Sequence, residues 1–371
     1  MNKQTPAGHT SMTTPADNAS DPKPDIRDCD RDRLTQWCRD RDMAPYRAGQ
    51  ILKWIYSRGA ASFDDMTDIA KATRQMLADY FVFSEFPVAR METSADGSRK
   101  YLFRLKDGLG VECVLIPEKD HYTLCISTQV GCAMGCRFCM TAASGLIRNL
   151  TAGEILGQVL AARREVTDDK RLSNIVLMGM GEPLANYDAV IRAVRIMTDI
   201  ETGLGFSNRR VTLSTAGLIP RFADLGKDTR IRLAVSLNAA DNATRDKLMP
   251  INRTYPLEAL IDACARYPLA QRDKITFEYI LIKDVNDSVD AARRLSKLLH
   301  PVKAKINLIP FNEHPASDFR RPDPTVIAAF QETLAAKHYT AIIRHSKGSD
   351  ISAACGQLSA ENQGIRGSGG P

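Results

Sequence analysis

The sequence predicts an α/β fold in which a small helical domain and a β-hairpin precede six alternating strands and helices. Two observations support it. Between residues 122 and 348, short apolar runs alternate with segments whose apolar residues recur at helical spacing. In residues 26–90 the apolar residues recur at helical spacing alone. A run of βα units predicts a parallel sheet with right-handed crossovers, either doubly wound or curved into a full or partial barrel.

The composition is that of a globular protein. Of 371 residues, 44% are apolar and 25% are charged, and the net charge of +6 neither requires nor excludes an anionic partner. No apolar run reaches the roughly 18 residues that a membrane span needs, and the first residues do not resemble a secretion signal. We expect a cytoplasmic protein that makes no membrane contact. The polar segment 1–25 and the glycine-rich segment 361–371 are predicted to be disordered tails.

The N-terminal part divides into two regions. The helical domain, 26–90, has predicted helices at 31–41, 46–57 and 71–80. Its arginine-rich first helix has the charge that an RNA-binding accessory domain would use, although solvated helix faces have the same composition. The region 91–121 is predicted to be a β-hairpin linker, with strands at 100–105 and 111–117 around an Asp-Gly turn.

The core, 122–348, carries the six βα units. Its predicted strands are 123–127, 174–178, 210–215, 231–237, 275–282 and 305–309. Its predicted helices are 151–166, 187–198, 219–224, 257–267, 289–300 and 325–337. Thr151 and Glu154 form a capping box at the first of these helices. In such folds functional residues gather at the carboxyl ends of the strands.

A cysteine motif follows the first core strand. Nine cysteines in a chain without a secretion signal favour metal or redox chemistry over a disulfide framework. Cys132, Cys136 and Cys139 have the spacing CxxxCxxC. Three thiolates can hold three irons of a cubane cluster and leave the fourth iron open to an external ligand. A zinc site is the alternative, but zinc prefers four ligands, and no nearby pair completes the set.

Polar or flexible residues end four further strands. They are Gly181 and Glu182, then Ser214, then Ser236, Leu237 and Asn238, and finally Asn312. Each group alone is typical of an ordinary turn. Together with the aromatic residue just before Cys139, the cysteine motif resembles the signature of the radical SAM superfamily. The resemblance implies a partial (βα)6 radical SAM barrel with a [4Fe-4S] cluster and S-adenosylmethionine as cofactors. It further implies that the strand-end residues bind the amino group, carboxylate, ribose and adenine of S-adenosylmethionine.

Longer motifs narrow the resemblance. Five longer motifs are similar to those of the RlmN family, and the similarity runs over about residues 27 to 360. In chain order they are ECVLIP, CISTQVGCAMGCRFC, LMGMGEPLAN, VTLSTAG and SDISAACGQL. The resemblance implies methylation of carbon 2 of adenine in 23S ribosomal RNA and in transfer RNA near the anticodon. Two S-adenosylmethionine molecules would be used per turnover. At position 238 the family usually has histidine, whereas this chain has asparagine.

The RlmN resemblance also assigns roles to three residues. Cys355, in the loop 349–360, would carry a methyl group; Glu112 would take the carbon 2 proton; and Cys125 would attack the Cys355 sulfur to form a transient disulfide. From the residues alone, Cys125 and Cys355 could be ordinary structural cysteines. Glu112 could be an ordinary carboxylate that faces solvent. A flavodoxin-like electron donor, RNA as the partner and a monomeric state are further expectations. Methylation of carbon 8 and a non-catalytic iron–sulfur protein remain alternatives.

Overall fold

The computed structural model describes residues 23–166, 170–314 and 317–359. Of the predicted disordered tails, residues 1–22 and all of 361–371 lie outside these described residues. The main sheet has ten strands in the order β1-β2-β3-β4-β7-β8-β9-β10-β11-β12. They are Val88–Thr93 (β1), Arg99–Arg104 (β2), Gly110–Pro117 (β3), His121–Cys125 (β4), Arg171–Leu177 (β7), Val211–Thr215 (β8), Arg232–Ser236 (β9), Ile275–Leu281 (β10), Ala304–Pro310 (β11) and Ala341–Ile343 (β12). A separate antiparallel pair joins Gln129–Gly131 (β5) to Leu146–Asn149 (β6).

The parallel part of the sheet confirms the six predicted core strands. β4, β7, β8, β9, β10 and β11 pair in parallel, each shifted by at most a few residues from its predicted bounds. A seventh parallel strand, β12, pairs with β11 and was not predicted. It has three residues, too few for a periodic pattern to be visible in the sequence. The strand order runs from β1 to β12 without closing, which agrees with a partial barrel.

Helices follow the core strands as predicted. They are Met140–Ala143 (α4), Ala152–Glu165 (α5), Tyr187–Thr198 (α6), Phe222–Asp228 (α7), Asn242–Leu248 (α8), Leu257–Arg266 (α9), Val289–Leu298 (α10) and Pro324–Ala335 (α11). The Thr151–Glu154 capping box at α5 is present in both directions. The short helices α4 and α8 were not predicted, and both lie beside the functional residues described below.

The N-terminal helices pack onto the barrel. They are Arg31–Arg39 (α1), Tyr46–Leu52 (α2), which continues as a π-helical turn at Lys53–Ser57, and Lys71–Tyr80 (α3). Their apolar faces share one continuous core with the barrel. Asp28 accepts a hydrogen bond of 2.6 Å from the backbone N–H of Gly153 in the first turn of α5. Within the described residues, no helix is both long and apolar enough to cross a bilayer.

The hairpin at 91–121 is not a linker. β2 and β3 pair as predicted, but β1 precedes them and β3 pairs with the first barrel strand, β4. The hairpin therefore extends the barrel sheet by three antiparallel strands. A free β3 would leave an unpaired backbone edge, and pairing with β4 satisfies its N–H and C=O groups. The sequence pattern predicts the strands but cannot report this long-range pairing.

Candidate active site

The cysteine loop leaves the sheet through β5 and ends in α4. Gly131 has a φ of +78°, and a Cβ atom there would lie 1.9 Å from the carbonyl oxygen of Gly145. Only glycine fits this crossing of β5 and β6. The N–H of Cys132 donates to the same Gly145 carbonyl at 3.0 Å, which anchors the first cysteine. Cys139 then occupies the N-cap position of α4.

The surroundings of the three cysteines suit an anionic iron–sulfur cluster. The buried side chains of Phe138, Leu248 and Met249 pack against the loop, and burial raises the pKa of the Cys132 thiol to about 12. Thiolates here need positive charge, which bound iron would supply. The fully buried Arg245 adds a fixed cation close enough to influence Cys136.

The three cysteines can hold an iron–sulfur cluster without being gathered around one ion. Among the residues that the structure describes, no three His, Cys, Asp or Glu side chains are grouped closely enough to bind one ion. A cubane cluster does not need such close grouping of side chains, because each thiolate binds a different iron. Beside the loop lies a cavity of about 200 Å³ whose lining includes Cys136, Cys139 and His314.

Glu182 lies buried at the carboxyl end of β7, where it reaches the next strand. Its two carboxylate oxygens accept the N–H of Ala216 at 2.7 Å and of Leu184 at 3.1 Å. Burial raises its pKa. Each oxygen retains a lone pair that an ammonium group can use. Gly181 has a φ of +102°, and a Cβ there would lie 2.5 Å from that of Gln129, whose side chain accepts the Glu182 N–H.

Asn238 uses its side chain inside the protein. It has a positive φ of 57°, its Oδ1 accepts the N–H of Ile280 at 2.8 Å, and its Nδ2 donates to the sulfur of Met249 at 3.2 Å. Its backbone carbonyl accepts the side-chain amide of Asn286 at 2.8 Å, so the carbonyl as well as the side chain of Asn238 is bonded inside the protein. The hydroxyls of Ser214 and Ser236, at the ends of neighbouring strands β8 and β9, have no hydrogen-bond partner among the described residues. They are free to bind a ligand.

Arg245, on α8, was not identified from the sequence. Its guanidinium donates to the carbonyls of Leu237 at 3.0 Å, Ala216 at 2.8 Å and Ser236 at 3.2 Å. It thus joins the ends of β8 and β9, where Ser214 and Ser236 lie. No local signal indicated this role, because an arginine in a short polar helix usually faces solvent.

The segment that carries Cys355 is held against the cysteine loop. Its backbone carbonyls accept from the N–H of Met140, the hydroxyl of Thr141 and the side-chain amide of Asn312. The predicted adenine contact, Asn312, is thus also a support for Cys355, with an Nδ2–O distance of 3.3 Å. The Cys355 side chain is exposed. The pKa of its thiol is nevertheless raised to about 11, first by desolvation in the surrounding protein and then by the charge of Glu278.

Sheet register brings Glu112 and Cys125 to one face. Cys125 lies directly opposite Val114 on the neighbouring strand, and Glu112 lies two residues before Val114. Side chains two residues apart on a strand point to the same face, so Glu112 and Cys125 are diagonal neighbours. Glu112 also accepts the N–H of Ser359 at 2.9 Å, four residues after Cys355. Cys355 is close enough to Cys125 to raise the pKa of that thiol, although burial is the larger cause.

Comparison with known proteins agrees with this arrangement. Residues 126–295 match the radical SAM superfamily, and residues 24–82 match the N-terminal domain of ribosomal RNA large subunit methyltransferases. The dual-specificity RNA methyltransferase RlmN of Desulfosudis oleivorans is 58% identical over 91% of both chains. That of Geobacter sulfurreducens is 52% identical over 93% of this chain and 94% of its own. The chain belongs to the RlmN family.

A solved structure supports the same conclusion. The crystal structure of a radical SAM methyltransferase from Sphaerobacter thermophilus has a TM-score of 0.85 and 43% identity, and covers 91% of this chain and 100% of its own. RlmN proteins are S-adenosylmethionine-dependent radical SAM RNA methyltransferases, and this chain is an enzyme of that class. The predicted fold class and the predicted cofactors, a [4Fe-4S] cluster and S-adenosylmethionine, are confirmed by this membership. The roles of the individual site residues stay predictions.

Proposed function

We propose that this chain methylates carbon 2 of adenine in 23S ribosomal RNA and in transfer RNA near the anticodon. The names of its RlmN relatives support RNA as the class of substrate. The observation that carries the proposal is the convergence of three groups. Glu112 and Cys125 share one face of the sheet, and the Cys355 segment is bonded to Glu112 through Ser359. The three residues come from β3, β4 and the C-terminal loop.

Each of the three residues has a role that its position supports. Cys355 lies at an exposed position, and its sulfur accepts a methyl group from one S-adenosylmethionine. Cys132, Cys136 and Cys139 would hold the cluster, which would supply the electron that cleaves a second molecule; the resulting radical would remove hydrogen from this methyl group. The methyl carbon radical then bonds to carbon 2 of adenine, which links the RNA to Cys355, and the adduct would give up its unpaired electron to the oxidised cluster.

Release of the RNA requires the other two residues. Glu112 takes the proton from carbon 2. Cys125 loses its own proton and attacks the Cys355 sulfur, so that the carbon–sulfur bond breaks, a disulfide forms, and the leaving carbon takes up a proton to become the methyl group. A reductant must then reopen that disulfide before the next turnover. S-adenosylmethionine is proposed to be held by residues that lie at or shortly after the carboxyl ends of barrel strands: Gly181, Glu182, Ser214, Ser236, Leu237, Asn238 and Asn312.

The decisive experiment is nucleoside mass spectrometry of ribosomal and transfer RNA, purified separately from a strain that lacks this chain. We expect 2-methyladenosine to disappear from both RNAs. Loss of 8-methyladenosine instead would show that the alternative carbon is the target. Persistence of 2-methyladenosine, with no other nucleoside changed, would refute the proposal.

Two variants test the cysteine roles in the same strain. Cys355→Ala removes the methyl carrier, so we expect no methylation. Cys125→Ala removes the thiol that releases the RNA, so we expect RNA to stay covalently bound to the protein on a denaturing gel. Cys38→Ala is the matched control, since Cys38 is a buried cysteine on α1 in the N-terminal helical domain. Normal turnover by Cys125→Ala would contradict its assignment.

A further inference from the structure

A row of charged side chains crosses the three antiparallel strands next to the barrel. Glu92 on β1 lies directly opposite Lys100 on β2. Lys100 in turn lies opposite Val114 on β3, and Glu112 is two residues before Val114. All three charged side chains therefore point to the same face of the sheet, with Lys100 in the middle.

The distances make this row continuous. The Lys100 ammonium lies 2.9 Å from Oε2 of Glu92 and 3.6 Å from Oε1 of Glu112. The side chains of Lys100 and Glu112 are 7% and 3% exposed, whereas that of Glu92 is 35% exposed. The row thus leads from the buried Glu112 to a carboxylate in contact with solvent.

Lys100 favours the ionised form of Glu112, which is the form that can act as a base. A buried carboxylate is costly unless it is paired, and burial raises the pKa of Glu112. Lys100, the Ser359 N–H and Arg90 lower this pKa, in that order, while Glu92 raises it. Among these groups, Lys100 supplies the nearest positive charge, and Glu92 holds its ammonium in place from the other side.

We propose that Lys100 is a positioning residue that keeps Glu112 ionised and then relays the proton from Glu112 to Glu92. The inference rests on the proposed function, because it needs Glu112 to take the carbon 2 proton. As the Glu112 acid gives its proton to Lys100, Lys100 gives another to Glu92, and Glu92 releases it to water. Lys100 is charged before and after the step. The 3.6 Å distance between Lys100 and Glu112 is longer than a hydrogen bond, so the transfer requires the two side chains to move closer when substrate binds.

The test uses the full-length enzyme with its cluster, S-adenosylmethionine and a transfer RNA substrate. Three quantities are measured from pH 6 to 9: formation of 5′-deoxyadenosine, the amount of covalent RNA–protein adduct, and release of methylated RNA. Lys100→Met should form 5′-deoxyadenosine at the wild-type rate. It should accumulate adduct and release product about tenfold more slowly at neutral pH. The acidic limb of its pH profile for RNA release should move to higher pH, because Glu112 then binds its proton more tightly. Lys100→Arg, which keeps the charge, should restore most of the release rate.

Further variants separate the relay from a structural role. Lys106→Met makes the same substitution at an exposed position of the same hairpin and should behave as wild type. Glu92→Gln leaves Lys100 in place but removes the exit, so it should slow release at every pH while adduct still forms. Wild-type release by Glu92→Gln would overturn the relay, and an unshifted acidic limb in Lys100→Met would overturn the role of Lys100. Absence of 2-methyladenosine with the wild-type enzyme would instead refute the proposed function.

Discussion

Glu278 is a buried carboxyl group near Cys355 that no proposed step uses. It lies on β10, is 8% exposed and accepts a hydrogen bond of 2.9 Å from Asn307 on β11. Burial raises its pKa to about 7, although Asn307, Arg344 and Lys305 act in the opposite direction. Ionisation of Glu278 at neutral pH therefore lowers the free energy of unfolding, and this loss of stability arises close to Cys355.

This raised pKa predicts how stability depends on pH. The unfolded chain loses the Glu278 proton near pH 4.5, whereas the folded protein holds it to about pH 7. Stability should thus fall as pH rises between these values, by up to about 3 kcal/mol from this residue. Glu278→Gln should be more stable than wild type at pH 8 and nearly equal at pH 4.5, measured by urea unfolding. Glu332→Gln, at an exposed position of α11, should show no such difference. Equal stabilities of wild type and Glu278→Gln at pH 8 would contradict the raised pKa.

At the scale of elements, α8 holds the ends of two barrel strands through one side chain. Arg245 on this helix is fully buried and bonded to three backbone carbonyls and to Oδ1 of Asn252. Burial lowers its pKa to about 10, so it stays charged at neutral pH. The neighbouring strand ends carry Ser214 and Ser236, so this helix sets the spacing of two predicted ligand contacts.

Replacement of Arg245 should therefore affect both stability and binding. Arg245→Met leaves buried carbonyls without donors, which should lower the free energy of unfolding by roughly 3 kcal/mol or more. It should also weaken binding of S-adenosylmethionine, measured by calorimetry on the reconstituted enzyme. Arg266→Met, which breaks an exposed pair with Asp262 on α9, should change stability by less than about 1 kcal/mol. Equal effects of the two substitutions would show that Arg245 does not join the strands.

At the scale of the whole molecule, the N-terminal helices and the barrel form one body around a shared core. The polar contact from Asp28 to the Gly153 N–H satisfies one of the donors at the start of α5. Ion pairs between Asp30 and Arg192, at 3.6 Å, and between Arg31 and Glu201, at 3.1 Å, add to the same interface. A domain that contacts RNA would thus keep a fixed orientation relative to Cys355.

Asp28→Ala should loosen this docking. Loss of the bond to Gly153 should cost about 1 kcal/mol. It should also speed proteolytic cleavage between the helical domain and β1, followed by mass spectrometry. Asp32→Ala removes an exposed carboxylate from α1 and serves as the control. If both variants were cleaved at the wild-type rate, the core alone would hold the domain in place.

The sequence by itself determined the features that depend on near neighbours. The order of the six predicted core strands and their helices, the capping box at Thr151 and the cysteine loop follow from periodicity and spacing within a few residues. The cluster cysteines were recognisable for the same reason, since all three lie within one loop. The resemblance to RlmN added the three residues proposed to complete methyl transfer, which spacing alone does not connect.

Only the tertiary structure decided how distant segments meet. The pairing of β3 with β4 made the expected linker part of the barrel sheet, and its register put Glu112 beside Cys125. The bond from Ser359 to Glu112 spans 247 positions of the chain. Such contacts depend on which edges pair and which faces are buried, and these are properties of the whole sheet. For the same reason Lys100 had no visible role in the sequence, because its neighbours Glu92 and Glu112 lie on other strands.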